Sequence, residues 1–146
     1  MINIDNIKGK YFIDTNVLIY SFDQDEPIKM AAAQNIIQHA LFTQQGMIST
    51  QVVQEFLNLT TRKFAQYLSI GESKEYTAKV LAVLCKSFPS LSFYERALNL
   101  HQEMSIAFYD ALILTAAIDA NCNVLLSEDF QHQRVVRGIK IVNPFV

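Results

Sequence analysis

Charge is scarce in this 146-residue sequence: only 18% of it is Asp, Glu, Lys or Arg, below the usual quarter. With 51% apolar residues, the chain is too hydrophobic and too weakly charged to be disordered. Twelve basic side chains stand against fourteen acidic ones, a formal net charge of −2. That excludes a bulk-basic nucleic-acid binder, which needs a clear positive excess. The two cysteines, Cys85 and Cys122, form no CxxC pair and no Cys/His metal spacing, which argues against a disulfide scaffold or a zinc site and for buried thiols in a reducing compartment. Four Gly and three Pro, none clustered, leave no linker, so one domain over residues 1–146 is expected. The most apolar stretch, 107–120, is interrupted by Asp110 and Asp119 and is too short to span a bilayer. The opening MINIDNIKGK has neither the cationic start nor the apolar core of a signal peptide. A cytoplasmic protein without a membrane partner is expected.

What is present is an alternation of short apolar runs and helical periodicities. The pattern predicts strands over 11–14, 47–49, 91–93, 124–127 and 139–142. It predicts helices over 16–22, 28–42, 51–67, 73–88, 94–103 and 107–121, with Gly46 and Gly71 as helix breakers. Strands alternating with helices point to an α/β/α sandwich around a parallel sheet of about five strands.

Against this apolar background four acids stand out. Asp14 ends the first strand and Asp129 follows the strand VLLS, so both belong at the carboxyl edge of the sheet, where open parallel sheets place their ligands. Asp110 has Ala107, Ile113, Leu114 and Ala117 at helical spacings, and Glu55 lies between Val52 and Leu59. Each admits a plain reading as a helix cap, a turn residue or a border residue reaching solvent. Together they ask for a cation, because isolated buried carboxylates are costly and no basic residue is near them in sequence. The all-oxygen set selects Mg²⁺ or Mn²⁺ over zinc, and such an ion serves phosphodiester hydrolysis.

Five segments then carry a resemblance: 12–20 (FIDTNVLIY), 51–58 (QVVQEFLN), 108–117 (FYDALILTAA), 125–130 (LLSEDF) and 139–145 (IKIVNPF). In this order and spacing the sequence resembles the PIN-domain ribonucleases, in particular the VapC-like toxins of type II toxin–antitoxin systems. The resemblance implies a PIN-like α/β/α fold and metal-dependent cleavage of RNA. It implies Asp14, Glu55, Asp110 and Asp129 as the catalytic acids, with Asp14, Asp110 and Asp129 on the metal. Asn16 and Ser127 would support the site, and the partners implied are a cognate antitoxin and a second copy of the chain.

Arg62, seven residues after Glu55, and Lys63 are candidate phosphate contacts, with ordinary solvated charge as the plain reading. Glu128 is acidic but free to face solvent, and His132 is within reach of the cleft or simply on the surface. Tyr20, Phe22, Phe56, Phe64 and Tyr67 suit base stacking or, at helical spacing, the core. Two alternatives to a ribonuclease stay open. One is a PIN-like module that binds RNA or protein without cutting. The other is a phosphatase or receiver-type Mg²⁺ protein, which the missing second Asp after Asp14 disfavours.

Overall fold

The computed structural model describes residues 1–63 and 66–146, the side chain of Lys63 excepted. Its frame is a six-stranded sheet in the order β3-β2-β1-β4-β6-β5. The strands are β1 (Tyr11–Ile13), β2 (Gly46–Ser49), β3 (Cys85–Ser87), β4 (Val124–Leu126), β5 (Val135–Val136) and β6 (Ile139–Val142). All neighbours pair in parallel except β5 and β6. Tyr11, Phe12 and Ile13 are each 0% exposed. Successive strand residues face opposite sides, so helices must cover both faces, the three layers expected of an apolar parallel sheet.

Helix α1 (Thr15–Tyr20) packs on α2 (Pro27–Thr43) and α3 (Thr50–Asn58), and α6 (Leu91–Met104) packs on α7 (Phe108–Asp119). Between them run α4 (Ile70–Tyr76) and α5 (Ala82–Leu84). Residues 111–117 of α7 are all buried, as its apolar circumference predicts. Phe56 is fully buried against Phe22 and Tyr76, so Phe22 and Phe56 belong to the core and are not free to stack on bases. Phe64 lies outside the described residues. No helix among the described residues is long and apolar enough to cross a membrane.

Several expected boundaries move. The third strand is β3, not 91–93: Leu91 begins α6, after Ser90 in extended backbone. The helix expected to run to residue 88 ends at Leu84, and Cys85–Ser87 pairs with β2. Gly71 lies inside the first turn of α4 and ends nothing. That helix starts at Ser69, whose hydroxyl accepts from Glu72 N (3.1 Å) while Glu72 Oε1 accepts from Ser69 N (3.0 Å), a capping box written in the sequence as SIGE. The helix expected over 51–67 stays α-helical only to Asn58 and widens into a π-turn over Leu59–Lys63. Strand β5 has no counterpart among the expected strands; it joins β6 through Arg137 (φ 48°) and Gly138 (φ 83°), the two positive-φ residues of a tight hairpin.

Gly46 does not break α2. Gln44 does, with a left-handed φ of 61°, while Gly46 sits within β2 because the space is taken. A Cβ there would lie 2.5 Å from Ala40 Cβ and 2.6 Å from Tyr11 Cε2. Gly46→Ala is therefore expected to destabilise the fold by about 1–3 kcal/mol, read as a drop of several degrees in a thermal melt. An unchanged melting temperature would mean that α2 and β1 separate freely there.

Candidate active site

Asp14 reaches the sheet edge because its N–H donates to Leu126 O of β4 at 3.0 Å. The ends of β1 and β4 are thereby locked side by side. Beyond β4, Ser127 is fully buried and its hydroxyl joins the two segments. It donates to Asp14 Oδ2 at 2.7 Å and accepts from Asp129 N at 3.1 Å. Asn16 Nδ2 donates to Asp129 Oδ2 at 3.1 Å, and Asn16 Oδ1 accepts from Glu128 N at 3.4 Å. Asp14 also caps α1, accepting from Thr15 N at 2.7 Å, so the cap reading and the site reading both describe it.

Glu55 enters from α3, whose buried Val52 and Phe56 place it at the edge of the apolar face. Thr15 Oγ1 donates to its Oε2 and Gln51 Nε2 to its Oε1, each at 2.7 Å. Gln51 also donates to Tyr109 O at 3.3 Å, linking α3 to the first turn of α7, where Asp110 stands. Sequence reasoning missed Thr15 and Gln51. The signals were the middle position of DTN and a Gln four residues before Glu55, on the same helical face.

The electrostatics tie the four acids together. Asp14 is 5% exposed, and burial pushes its carboxyl up to about 7 against the hydrogen bonds from Ser127 and Thr15; the charges of Asp129 and Glu55 push the same way as burial. Asp110 is also raised, by burial and then by the same two charges. Among the described residues, none of the four carboxylates touches a Lys, Arg or His. The donor set fits a hard divalent cation: oxygen ligands only, mutually repelling and without a counter-charge. The set stands open, however. No three His, Cys, Asp or Glu among the described residues are grouped closely enough to hold an ion. Glu55 is held toward Thr15 and Gln51, and Asp129 toward Asn16.

The remaining candidates lie apart. Glu128 does not face open solvent. It pairs with Lys29 Nζ at 2.7 Å, and although burial works against it, hydrogen bonds from Lys29 and Tyr20 hold its carboxyl below the ordinary value. Tyr20 lies under Lys29 and edge-on to Phe145. His132 accepts from Asn143 N at 3.0 Å, which ties it to the chain after β6. Arg62 is exposed, and the π-turn breaks the helical register behind its spacing from Glu55. The side chain of Lys63 lies outside the described residues. A cavity of about 430 Å³ beside Phe22, Met30 and Tyr67 is lined by none of the four acids.

The carboxylates Asp14 and Asp129 stand just past the carboxyl ends of β1 and β4, the edge where open parallel α/β sheets bind their ligands. Residues 11–138 match the PIN domain family, and the chain belongs to that family. A solved structure, a toxin-antitoxin complex from Klebsiella pneumoniae, is similar over 92% of this chain and 98% of that one, with 20% identity and a TM-score of 0.67. No curated protein matches the chain.

Stability should carry the imprint of Asp14. An unfolded Asp titrates near 4, so the folded chain keeps a proton that the unfolded chain releases between about pH 4 and 7. Stability without divalent ions therefore falls as pH rises through that window. Asp14→Asn should remove a loss on the order of 4 kcal/mol, measured by urea unfolding in EDTA. Parallel pH profiles for the two proteins would contradict the assignment.

Proposed function

We propose that this chain is a metal-dependent endoribonuclease and the toxin of a type II toxin–antitoxin pair, its 146 residues forming one PIN domain. One observation carries the reading: four carboxylates from segments far apart in sequence meet electrostatically at one sheet edge with no cationic partner among the described residues. Membership of a family whose members are generally nucleases supports it. The toxin assignment is supported by the likeness to the Klebsiella toxin-antitoxin complex. Leu91 and Leu98, exposed seven residues apart on α6, support a protein partner, either the antitoxin or a second copy.

Asp14, Asp110 and Asp129 would hold Mg²⁺ or Mn²⁺, and Glu55 would complete the set or orient the attacking water. Bound there, the ion supplies Lewis acidity and a water that ionises near neutral pH. The chain's own contribution is orientation. Ser127 holds Asp14, Asn16 holds Asp129, and Thr15 with Gln51 holds Glu55. Such tethers of charged ligands are worth roughly 10–100-fold in affinity or activity. RNA fits the modest net charge: setting aside the four acids turns the formal −2 into +2, so phosphate would be met by the ion and a few local cations. Action in the cytoplasm, on cellular RNA, follows from this reading. A non-cleaving binding module is the second reading, favoured by the open stance of the carboxylates.

The deciding experiment incubates the purified protein with mixed single-stranded RNA and Mg²⁺ or Mn²⁺. Cleavage is expected, with a fall of at least about a hundredfold in Asp14→Asn, in Asp110→Asn and in EDTA. Thr15→Val should lose about tenfold, in line with an orienting role. Equal cutting in all samples would remove the metal site, and no cutting by the wild type would favour the binding module.

A further inference from the structure

Beside the carboxylates lies a hollow of about 270 Å³, just under the roughly 300–1,000 Å³ of sites for drug-sized ligands. Two aromatic pairs wall it: Phe93 and Tyr94 of α6, with ring centroids 5.5 Å apart, and Phe108 and Tyr109 of α7, 6.2 Å apart. Gln51 and Gln54 of α3 add amides to its lining. Among the described residues, the lining contains no Lys, Arg, Asp or Glu.

Its position is fixed by the site. Gln51 bonds both Glu55 Oε1 and Tyr109 O, and Tyr109 is one residue from Asp110. The hollow therefore adjoins two of the four acids. Tyr94 and Tyr109 are 40% and 67% exposed, a large aromatic surface left to solvent. The Gln54 amide is exposed and makes no hydrogen bond among the described residues. Exposed rings beside one unspent amide suit a flat, uncharged, heteroaromatic group: a ring stacks on its face and the amide meets its edge. A phosphate would find no cation here.

We propose that this hollow is a nucleobase subsite, seating one unpaired base of single-stranded RNA beside the acidic edge of the sheet. The proposal rests on the ribonuclease reading and adds to it the form in which the substrate is held.

The test measures binding of a labelled single-stranded RNA 12-mer by fluorescence anisotropy. Ca²⁺ replaces Mg²⁺, and a gel verifies that the strand stays intact. A second probe of equal length carries abasic positions. The wild type should bind the base-bearing strand about tenfold more tightly, in keeping with the loss seen when a stacking ring is removed. Tyr109→Ala should abolish that preference, Tyr109→Phe should keep it, and Gln54→Ala should weaken it. The substituted residues are exposed, and thermal melts establish that each variant is folded. Equal affinity of the wild type for both strands, or an undiminished preference in Tyr109→Ala, would overturn the subsite. So would a Tyr109→Ala protein whose RNA binding is intact but whose self-association, read by sedimentation, is lost; the aromatic face would then belong to a second copy. The two readings fail separately. Cleavage with an unchanged preference in Tyr109→Ala removes only the subsite, whereas Tyr109-dependent base preference without cleavage removes only the nuclease.

Discussion

The pairing of β1 with β4 is the constraint from which the candidate site follows. The two strands are more than a hundred residues apart in sequence, yet Tyr11, Phe12 and Ile13 align with Val124, Leu125 and Leu126. A slip of one residue would turn every side chain to the opposite face, and with both faces of β1 covered no such slip leaves the core intact. The register therefore forces Asp14 and Ser127 together at the point where both strands leave the sheet. A carboxylate at the end of so dry a strand is poorly solvated, which is why burial dominates its raised pKa. The hydroxyl of Ser127 is the neighbour that register supplies, and it donates to that carboxylate.

The same segment separates two adjacent acids by direction. Asp129 turns toward Asn16, while Glu128 turns toward Lys29 and Tyr20. Lys29 is thereby engaged outside the site, bonded to Glu128 and lying over the Tyr20 ring. A free lysine at this edge would pair with the carboxylates and cancel their charge. The Lys29–Glu128 pair thus has two consequences: it anchors the loop after β4, and it keeps a cation from cancelling the field of the four acids.

How much of this could be read from residue order depends on the kind of signal. Apolar runs such as YFI and VLL, and the buried α7, have strong periodicities and were legible. So was the placement of Asp14 and Asp129 just past β1 and β4, because each follows an apolar strand run. Short elements were not. Cys85–Ser87 has three residues and one charged side chain, so the helical run before it masks the strand; Val135–Val136 is two residues held only by its hairpin partner. Glycines misled because a Gly that permits close packing looks in sequence like one that ends a helix: Gly46 admits Tyr11 and Ala40. Lys29 and Glu128 meet across 99 residues, and nothing local announces such a pair. Thr15 and Gln51 lay beside recognised residues, but their donor role needed the distance between α1 and α3.

The choice of tethers has its own logic. Thr15, Asn16, Gln51 and Ser127 are neutral, yet they make the hydrogen bonds that orient Glu55, Asp129 and Asp14. A neutral donor fixes a carboxylate's direction while leaving its charge uncancelled; an Arg or Lys in its place would fix it better and neutralise it. Burial raises the carboxyls of Asp14 and Asp110 most, and the charges of Asp129 and Glu55 add to the rise because no donor cancels them. Such an arrangement costs stability near neutral pH in the absence of a counter-ion. A cation bound among these carboxylates would relieve that repulsion and return its energy.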